Sequence, residues 1–510
     1  MYSRRKKNKT GSTSIHLVQK INGKQVHVKS LGVATDEAAL HKLESIAGEQ
    51  IALLTGQNSF PFTYPEDEKH IAQLRASIQS IEPGVCIQLL EQLFNQIGFD
   101  QIGDALFKHL VIMRLLYPVS KLKTVEYLRR HYQIDYDVDA VYRYMDKLHD
   151  DHQQQLQQIS FDHTKELLGD QLAVVFYDVT TLYFEAEAED DLRKMGYSKD
   201  GKAQNPQIVL GLLVSQGGYP LAYEIFDGNT FEGKTMMPVI ESFKNRYGLT
   251  HLVIIADAGL LSNAAITQLI AGNYEFVLGA RIKNETEEIK KQILGLGLQD
   301  GQSTMIEKDN GLKLIISYAQ SRADKDQHNR TRGLQKLQTL LNSGKLSKKH
   351  INNRGYNKYL KLEGEITLSI DHDKFNQDAQ WDGLKGYLTN TSQRKETVID
   401  HYKNLWQIEK AFRISKTDLR VRPIYHRLKK RIKSHLNIAF CSYKLYKEAE
   451  RQLKIKNVPL SIEKAIEVMK SIYSVNTILP ASGKQTSIII TPEEEQKILL
   501  DAFEIKYWIF

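Results

Sequence analysis

Hydrophobic positions along the chain change their spacing several times, and each change marks a different kind of structure. The segment SIHLVQKINGKQVHVKSLG alternates apolar and polar residues on either side of Asn22-Gly23. Asn-Gly suits a type I′ turn, so this stretch predicts a β-hairpin. A helical pattern, DEAALHKLESIAGEQIALL, follows. From Pro83 to Leu168 the spacing is helical throughout. GDALFKHLVIMRLLYP should stop at Pro118, Ser120 can cap KLKTVEYLRRHY, and DVDAVYRYMDKLHDDHQQQLQQIS forms a further helix. Lys121, Lys123, Arg129 and Arg130 are expected to face outward, which reads as a helical DNA-binding module, with a plain helical spacer as the alternative.

At Gln171 the texture changes. QLAVVFYDV, IVLGLLVS, YPLAYEIF, HLVIIADAG and YEFVLGARI are short apolar runs that read as buried strands. EGKTMMPVIESFKNRYG and SNAAITQLIAGN read as helices among them. The order predicts a mixed α/β sheet. Between Lys283 and Gln380 the rhythm breaks: GLKLIISYAQ and GEITLSIDHD look like strands, with the charged, helical SRADKDQHNRTRGLQKLQTLLNSGKLSKKH between them. The α/β texture resumes at LKGYLTNT, then a long helix runs through Glu409, and RLKKRIKSHLNIAFCSYKLYKEAERQLK forms another. The division expected is an arm, hairpin and helix (1–80), a helical DNA-binding domain (81–168), a first core segment (169–282), a β-rich and helical insertion (283–380), a second core segment (381–456) and a small helical tail (457–510).

Composition narrows the class. In 510 residues, 41% hydrophobic and 25% charged residues describe an ordinary globular protein with ample core. A net charge of +8 favours a polyanionic partner. MYSRRKKNKT carries Arg4, Arg5, Lys6, Lys7 and Lys9 and reads as a disordered arm that could lie on phosphates, or as a solubilising tail. No apolar region follows it as in a secretory signal, and no apolar run is long enough to span a membrane. Cys86 and Cys441, the only cysteines, read as buried free thiols of a reducing compartment. A cytoplasmic protein with access to DNA and no membrane is expected.

The chemistry centres on carboxylates. Asp178 and Asp257 each end an apolar strand, VVFYD and VIIAD, and functional groups gather at strand ends in open α/β sheets. Hard divalent cations take oxygen ligands and keep several waters, so two or three carboxylates suffice to hold them. A metal pair could activate water for phosphodiester attack. Taken singly, each aspartate could equally be an ordinary turn residue. The segment YKNLWQIEKAFRISKTDL adds Glu409, with Tyr402 seven residues before it and Lys416 seven after. On a continuous helix these three share a face. That face suits a metal together with a phosphate, and an amphipathic helix with incidental charges is the alternative.

These segments resemble the insertion-sequence transposases with a DDE catalytic domain, in the class that carries a β-rich insertion before the catalytic glutamate. The signature is tyrosine, arginine, glutamate and lysine at fixed intervals, and Tyr402, Glu409 and Lys416 match it. Leu405 stands at the arginine position, and Arg413, one turn after Glu409, is a candidate to replace it. YDVTTLYFE, ADAGLLS, ISYAQSRADKDQHNR, RVRPIYHRLKKRIKSHLNIAF and RLLYPVSKLKTVEYL extend the resemblance over roughly 15–450. The interval from Asp257 to Glu409 is nearly twice that from Asp178 to Asp257, which fits an insertion.

The resemblance implies an RNase H-like mixed-sheet core, with Asp178, Asp257 and Glu409 as catalytic residues holding two Mg²⁺ or Mn²⁺ ions. It implies cleavage at terminal inverted repeats and transfer of the released 3′-OH into target DNA, by a homodimer in a synaptic complex. A domesticated DNA-binding protein without catalysis and a generic RNase H-like nuclease are the alternatives. Tyr402, Lys416 and Arg413 are candidate DNA contacts. Trp406 could stack on a base, although such a tryptophan is more often core. Lys429, Lys430, Arg431 and Lys433, with Arg427, His426 and His435, form a basic helical face for DNA, or else a solvated one.

Overall fold

The computed structural model describes residues 1–9, 11–55, 65–148, 150–186, 188–198, 201–202, 204–249, 251–260, 262–308, 310–346, 348–352, 355–363, 367–479, 482–490 and 492–506. Two compact units are present, one made of Met1–Glu82 with Ser474–Ile490 and one built on Pro83–Tyr473.

In the first unit, Asn22 and Gly23 take φ of 47° and 79°, the left-handed pair a type I′ turn requires. They join the antiparallel strands Thr13–Ile21 and Lys24–Ala34. The basic arm departs from expectation. Tyr2–Lys7 is a third strand, paired with Thr13–Val18, and Arg5 forms a two-point ion pair with Glu44. The helix Glu37–Thr55 covers this sheet, burying Ile15, Leu17 and Ala47 together. A second antiparallel sheet joins Ile78–Glu82, Ser474–Ile478 and Gln485–Ile489. The tail expected to be wholly helical therefore contributes two strands. Their burial alternates too weakly for the sequence pattern to announce them.

The second unit holds the mixed sheet. From edge to edge its strands are Ser303–Glu307, Lys313–Tyr318, Leu384–Thr389, Glu275–Ala280, Val253–Ala256, Val174–Tyr183, Gln207–Ser215 and Pro220–Asp227. The strands Val174–Tyr183, Val253–Ala256 and Glu275–Ala280 run parallel, and the remaining pairings are antiparallel. The parallel strands are apolar along their length because both faces are covered. Val175, Tyr177, Ile254, Ala256, Phe276 and Leu278 share one core with Ile240 and Phe243 of the helix Met236–Tyr247.

Two strands of the expected insertion, Ser303–Glu307 and Lys313–Tyr318, are continuous with this sheet through Leu384–Thr389. Leu360–Glu363 and Thr367–Ile370 make a separate ribbon, and the helix Gln320–Asn342 lies between the two groups in sequence. The first residues of the predicted GEITLSIDHD strand, 364–366, lie outside the described residues.

The helices Gly84–Ile97, Ala105–Leu116, Val138–Met145 and Asp150–Leu168 pack around one long helix, Lys429–Ile455. That helix is buried from Ser434 to Ala449, so it threads the core rather than presenting a face. Ser120 caps Lys121–Tyr132 as expected, accepting from the Lys123 N–H at 3.3 Å. Lys121, expected outside, is only 4% exposed. Cys86 and Cys441 are buried free thiols. Among the described residues no helix is long and apolar enough to cross a membrane.

Candidate active site

Strand pairing places the two aspartates. Tyr177 lies opposite Ala256 across the parallel pair, so Asp178 and Asp257 follow at matched positions on neighbouring strands. Asp178 is partly buried, and its Oδ1 accepts the Val179 N–H at 2.7 Å. Asp257 is exposed, just past the end of its strand.

Glu409 comes from the helix Trp406–Thr417, which packs on the strands Val174–Tyr183 and Gln207–Ser215. Its buried side is Ile408, Ala411, Phe412 and Ile414, while Trp406, Glu409 and Arg413 are exposed and Lys416 is partly so. These four positions recur at helical spacing on one face. The expected continuous helix does not form. Lys395–Lys403 ends before a turn at Asn404 and Leu405, and a second helix starts at Trp406. Tyr402 therefore does not extend the Glu409 face.

Tyr402 is 5% exposed, and its hydroxyl donates to Asp257 Oδ1 at 2.9 Å. Burial, reinforced by the adjacent Asp257 carboxylate, pushes its phenol well above the usual range, so it remains a donor. The phenol expected to contact DNA is thus buried and hydrogen-bonded to Asp257. Leu405 is also buried, which removes that position from any phosphate contact. Trp406 is 49% exposed, so the core assignment preferred from sequence is overturned. It sits in the first turn, where the Asn404–Leu405 break turns it outward.

The approach of Tyr402 to Asp257 depends on Gly279. A Cβ there would collide with the Tyr402 hydroxyl and lie 3.0 Å from the Ala258 backbone nitrogen.

Lys385 was not anticipated. It lies on Leu384–Thr389 with its Nζ 4.4 Å from the Tyr402 ring centroid and 5.6 Å from that of Tyr387. Burial lowers its ammonium below the usual range, Arg322 adds to this, and the Asp257 and Glu409 carboxylates oppose it. Lys385 thus lies within the field of both carboxylates. It lines a cleft of about 720 Å³ with Asp257, Tyr402, Arg281, Arg322 and Arg330. The signal was available in LKGYLTNT: Lys385 and Tyr387 alternate onto one face of a strand whose other positions are Leu384, Gly386 and Leu388.

The basic face after the helix is smaller than expected. Lys429 and Lys430 are exposed, but Arg431 makes a bidentate pair with Asp146 at 2.7 and 3.0 Å, and Lys430 reaches the same carboxylate at 3.4 Å. Lys433 is partly buried and lies near Glu224, whose carboxyl burial pushes above the usual range against the pull of Arg246 and then Lys433. His435 is buried.

An all-carboxylate donor set suits a hard divalent cation. Among the described residues no three Asp, Glu, His or Cys side chains converge closely enough to form a coordination shell.

Residues 170–445, more than half of the chain, match the profile of the family described as the transposase DDE domain. Among curated proteins none matches the chain. Of solved structures, a piggyBac transposase synaptic complex with hairpin DNA is similar at 10% identity over 76% of this chain and 79% of that chain, with a TM-score of 0.36. The Mos1 transposase paired-end complex with the left transposon end gives 10% identity over 31% and 53%, at a TM-score of 0.16. A pre-cleavage Mos1 transpososome gives 13% identity over 37% and 57%, at a TM-score of 0.16. DDE transposases generally use divalent metal ions. The match across 170–445 shows that the chain belongs to the transposase DDE domain family and is a transposase enzyme.

Proposed function

We propose that this transposase serves a bacterial insertion sequence, cleaves DNA at the element's terminal inverted repeats and transfers the resulting 3′-OH into target DNA. The observation that carries the reading is the placement of Asp178 and Asp257 at matched ends of neighbouring parallel strands, with the Glu409 helix packed on the Asp178 strand. In this reading the three carboxylates are the catalytic residues and, although they are not drawn into one coordination shell here, would close together on Mg²⁺ or Mn²⁺. When bound, two such ions supply an activated water and offset charge at the scissile phosphate.

The chain's own residues do the rest. Tyr402 fixes one oxygen of Asp257, a residue that lines the cleft. Asp178 is held by its contact with the Val179 N–H. Trp406, Arg413 and Lys416 border Glu409 on the outer face of its helix, where Trp406 offers a stacking surface and the cations meet phosphates. Lys429 and Lys430, exposed at the start of the long helix, are further candidate phosphate contacts. Water attacks the phosphodiester at the end of the element, leaving a 3′-OH. That hydroxyl then attacks a target phosphodiester in one transesterification, so no protein nucleophile is needed. Two copies of the chain pair the two ends in a synaptic complex, acting in the cytoplasm where bacterial DNA lies.

The test uses a duplex carrying the repeats that flank the reading frame. Asp178→Ala should abolish strand cleavage while leaving duplex affinity within about twofold, since it removes a catalytic group and not a phosphate contact. Cleavage by Asp178→Ala at the wild-type rate would refute the assignment. Cleavage by the wild type without joining would point to a nuclease instead.

A further inference from the structure

A second cavity, of about 410 Å³, lies away from the carboxylates. Two stretches singled out in the sequence, RLLYPVSKLKTVEYL and RVRPIYHRLKKRIKSHLNIAF, meet around it. From the first come Arg114 and Lys121, and from the second Arg420, Arg422, His426 and His435. Arg114 is 7% exposed and Lys121 4% exposed. Arg114 donates to the Leu419 carbonyl at 3.5 Å and lies 3.4 Å from His435 Nδ1. His435 Nε2 in turn lies 3.1 Å from the Val421 carbonyl, so it donates there and leaves Nδ1 as the acceptor for Arg114. Among the described residues, Lys121 Nζ has no hydrogen-bond or ion-pair partner.

Among the described residues, no carboxylate pairs with Arg114 or Lys121. Burial alone lowers the Arg114 guanidinium, to about 10. Burial lowers Lys121 too, and Arg114 adds to it. Burial, then Lys121 and Arg114, pushes His426 down to about 4, and burial then Arg114 holds His435 well below its usual range. Both histidines are therefore neutral at pH 7. Asp146, an acid nearby in this region, is already held by Arg431 and Lys430.

A buried cation without a counter-charge is costly, and two that repel each other are more so. The N-terminal end of the twelve-residue helix Lys121–Tyr132 borders the same cavity and favours negative charge there. Arg420 and Tyr425 are exposed and open the cavity to solvent. The loop that carries Arg422 and His426 is pinned to the end of the Asp178 strand, where the Ile424 N–H donates to the Tyr183 carbonyl at 3.0 Å.

We propose that this cavity is a phosphate-binding site, built on Arg114 and Lys121, that takes a backbone phosphate of the DNA on which the enzyme acts. The choice of DNA as the phosphate's source rests on the proposed function, whereas the site itself rests on the buried Arg114 and Lys121.

The experiment uses the full chain. Thermal denaturation is followed in sodium phosphate and in sodium chloride of matched ionic strength, and affinity for a labelled duplex is followed across a chloride series. Phosphate should raise the wild-type Tm above the chloride control. Lys121→Met should lose that increment, and without phosphate it should be at least as stable as wild type, because an unpaired buried charge has gone. A lysine with a merely structural role would give the opposite sign. The slope of log affinity against log salt should become shallower by about 1 in Lys121→Met, as for one lost phosphate contact. Arg420→Gln, an exposed substitution at the mouth, should also make it shallower and serves if Lys121→Met does not fold. If phosphate protects but both variants keep the wild-type slope, a free phosphate is the ligand and the DNA assignment falls. Equal Tm in phosphate and chloride, with unchanged slopes, overturns the site. Neither result depends on whether Asp178→Ala is inactive, so this proposal and the proposed function fail separately.

Discussion

Tyr402→Phe isolates one bond in the proposed active site. The substitution keeps the ring in place, 5% exposed and packed edge-on against Tyr387 at 5.0 Å, and deletes only the hydroxyl that donates to Asp257 Oδ1 at 2.9 Å. A hydrogen bond to a charged acceptor contributes about 1.5–3 kcal/mol. Asp257 is exposed, so water replaces the lost donor and the cost to folding stays near or below about 1 kcal/mol. What water cannot replace is a fixed carboxylate orientation. Loss of a group that orients a metal ligand typically weakens metal affinity about 10- to 100-fold. That corresponds to about 1.4–2.8 kcal/mol, the range of the deleted bond. The assay is cleavage of an end duplex across a Mg²⁺ titration. Half-saturation should move up by about 10- to 100-fold, with most of the rate recovered at saturating Mg²⁺. Gly279→Ala, which drives a Cβ into the Tyr402 hydroxyl, should shift it the same way. A Mg²⁺ dependence identical to wild type in Tyr402→Phe would refute the orienting role.

Lys385→Met should move Mg²⁺ half-saturation in the opposite direction, because it removes a cation that shares the field of Asp257 and Glu409; a rise in half-saturation would contradict this. Lys444 is fully buried, donating to the Ser160 carbonyl at 3.0 Å, and burial lowers its ammonium from 10.5 to about 7. The unfolded chain then binds more protons than the folded one between pH 7 and 10.5, so stability should rise with pH across that window. Lys444→Met should flatten that rise, as read by denaturant midpoints at pH 7 and pH 9; an equal slope in both proteins would disprove the linkage. Leu213→Ala, in the sheet's buried core, should cost about 2–5 kcal/mol in urea unfolding, and a loss below about 1 kcal/mol would mean the site collapses around the gap. Arg431→Gln should lower stability by roughly 1 kcal/mol through Asp146 and leave the salt slope of DNA binding alone, whereas Lys429→Gln should do the reverse.

Much of this protein was legible in the sequence because its signals are local. Continuous apolar runs marked the parallel strands, since strands covered on both faces carry no polar alternation. Asn22-Gly23 marked a hairpin, since few dipeptides accept two left-handed residues. Pro118 and Ser120 marked a helix stop and start. The strand-end aspartates and Glu409 were singled out from texture and spacing, and the family resemblance joined them into the triad proposed here.

What the sequence could not decide was which groups meet. Tyr402 and Lys416 are equally spaced about Glu409, and spacing placed them on one face. The turn at Asn404–Leu405 separates Tyr402 and points it at Asp257 through the gap that Gly279 leaves. The lysines and arginines after Glu409 look alike in sequence, yet Arg431 is committed to Asp146 while Lys429 is exposed. Lys121 reads as a surface lysine by every local rule, and only the packing of two distant segments buries it beside Arg114. Local pattern fixes secondary structure because backbone geometry repeats every few residues. The environment of a charge is set by whatever the chain brings back from far away, and that is decided only when the core closes.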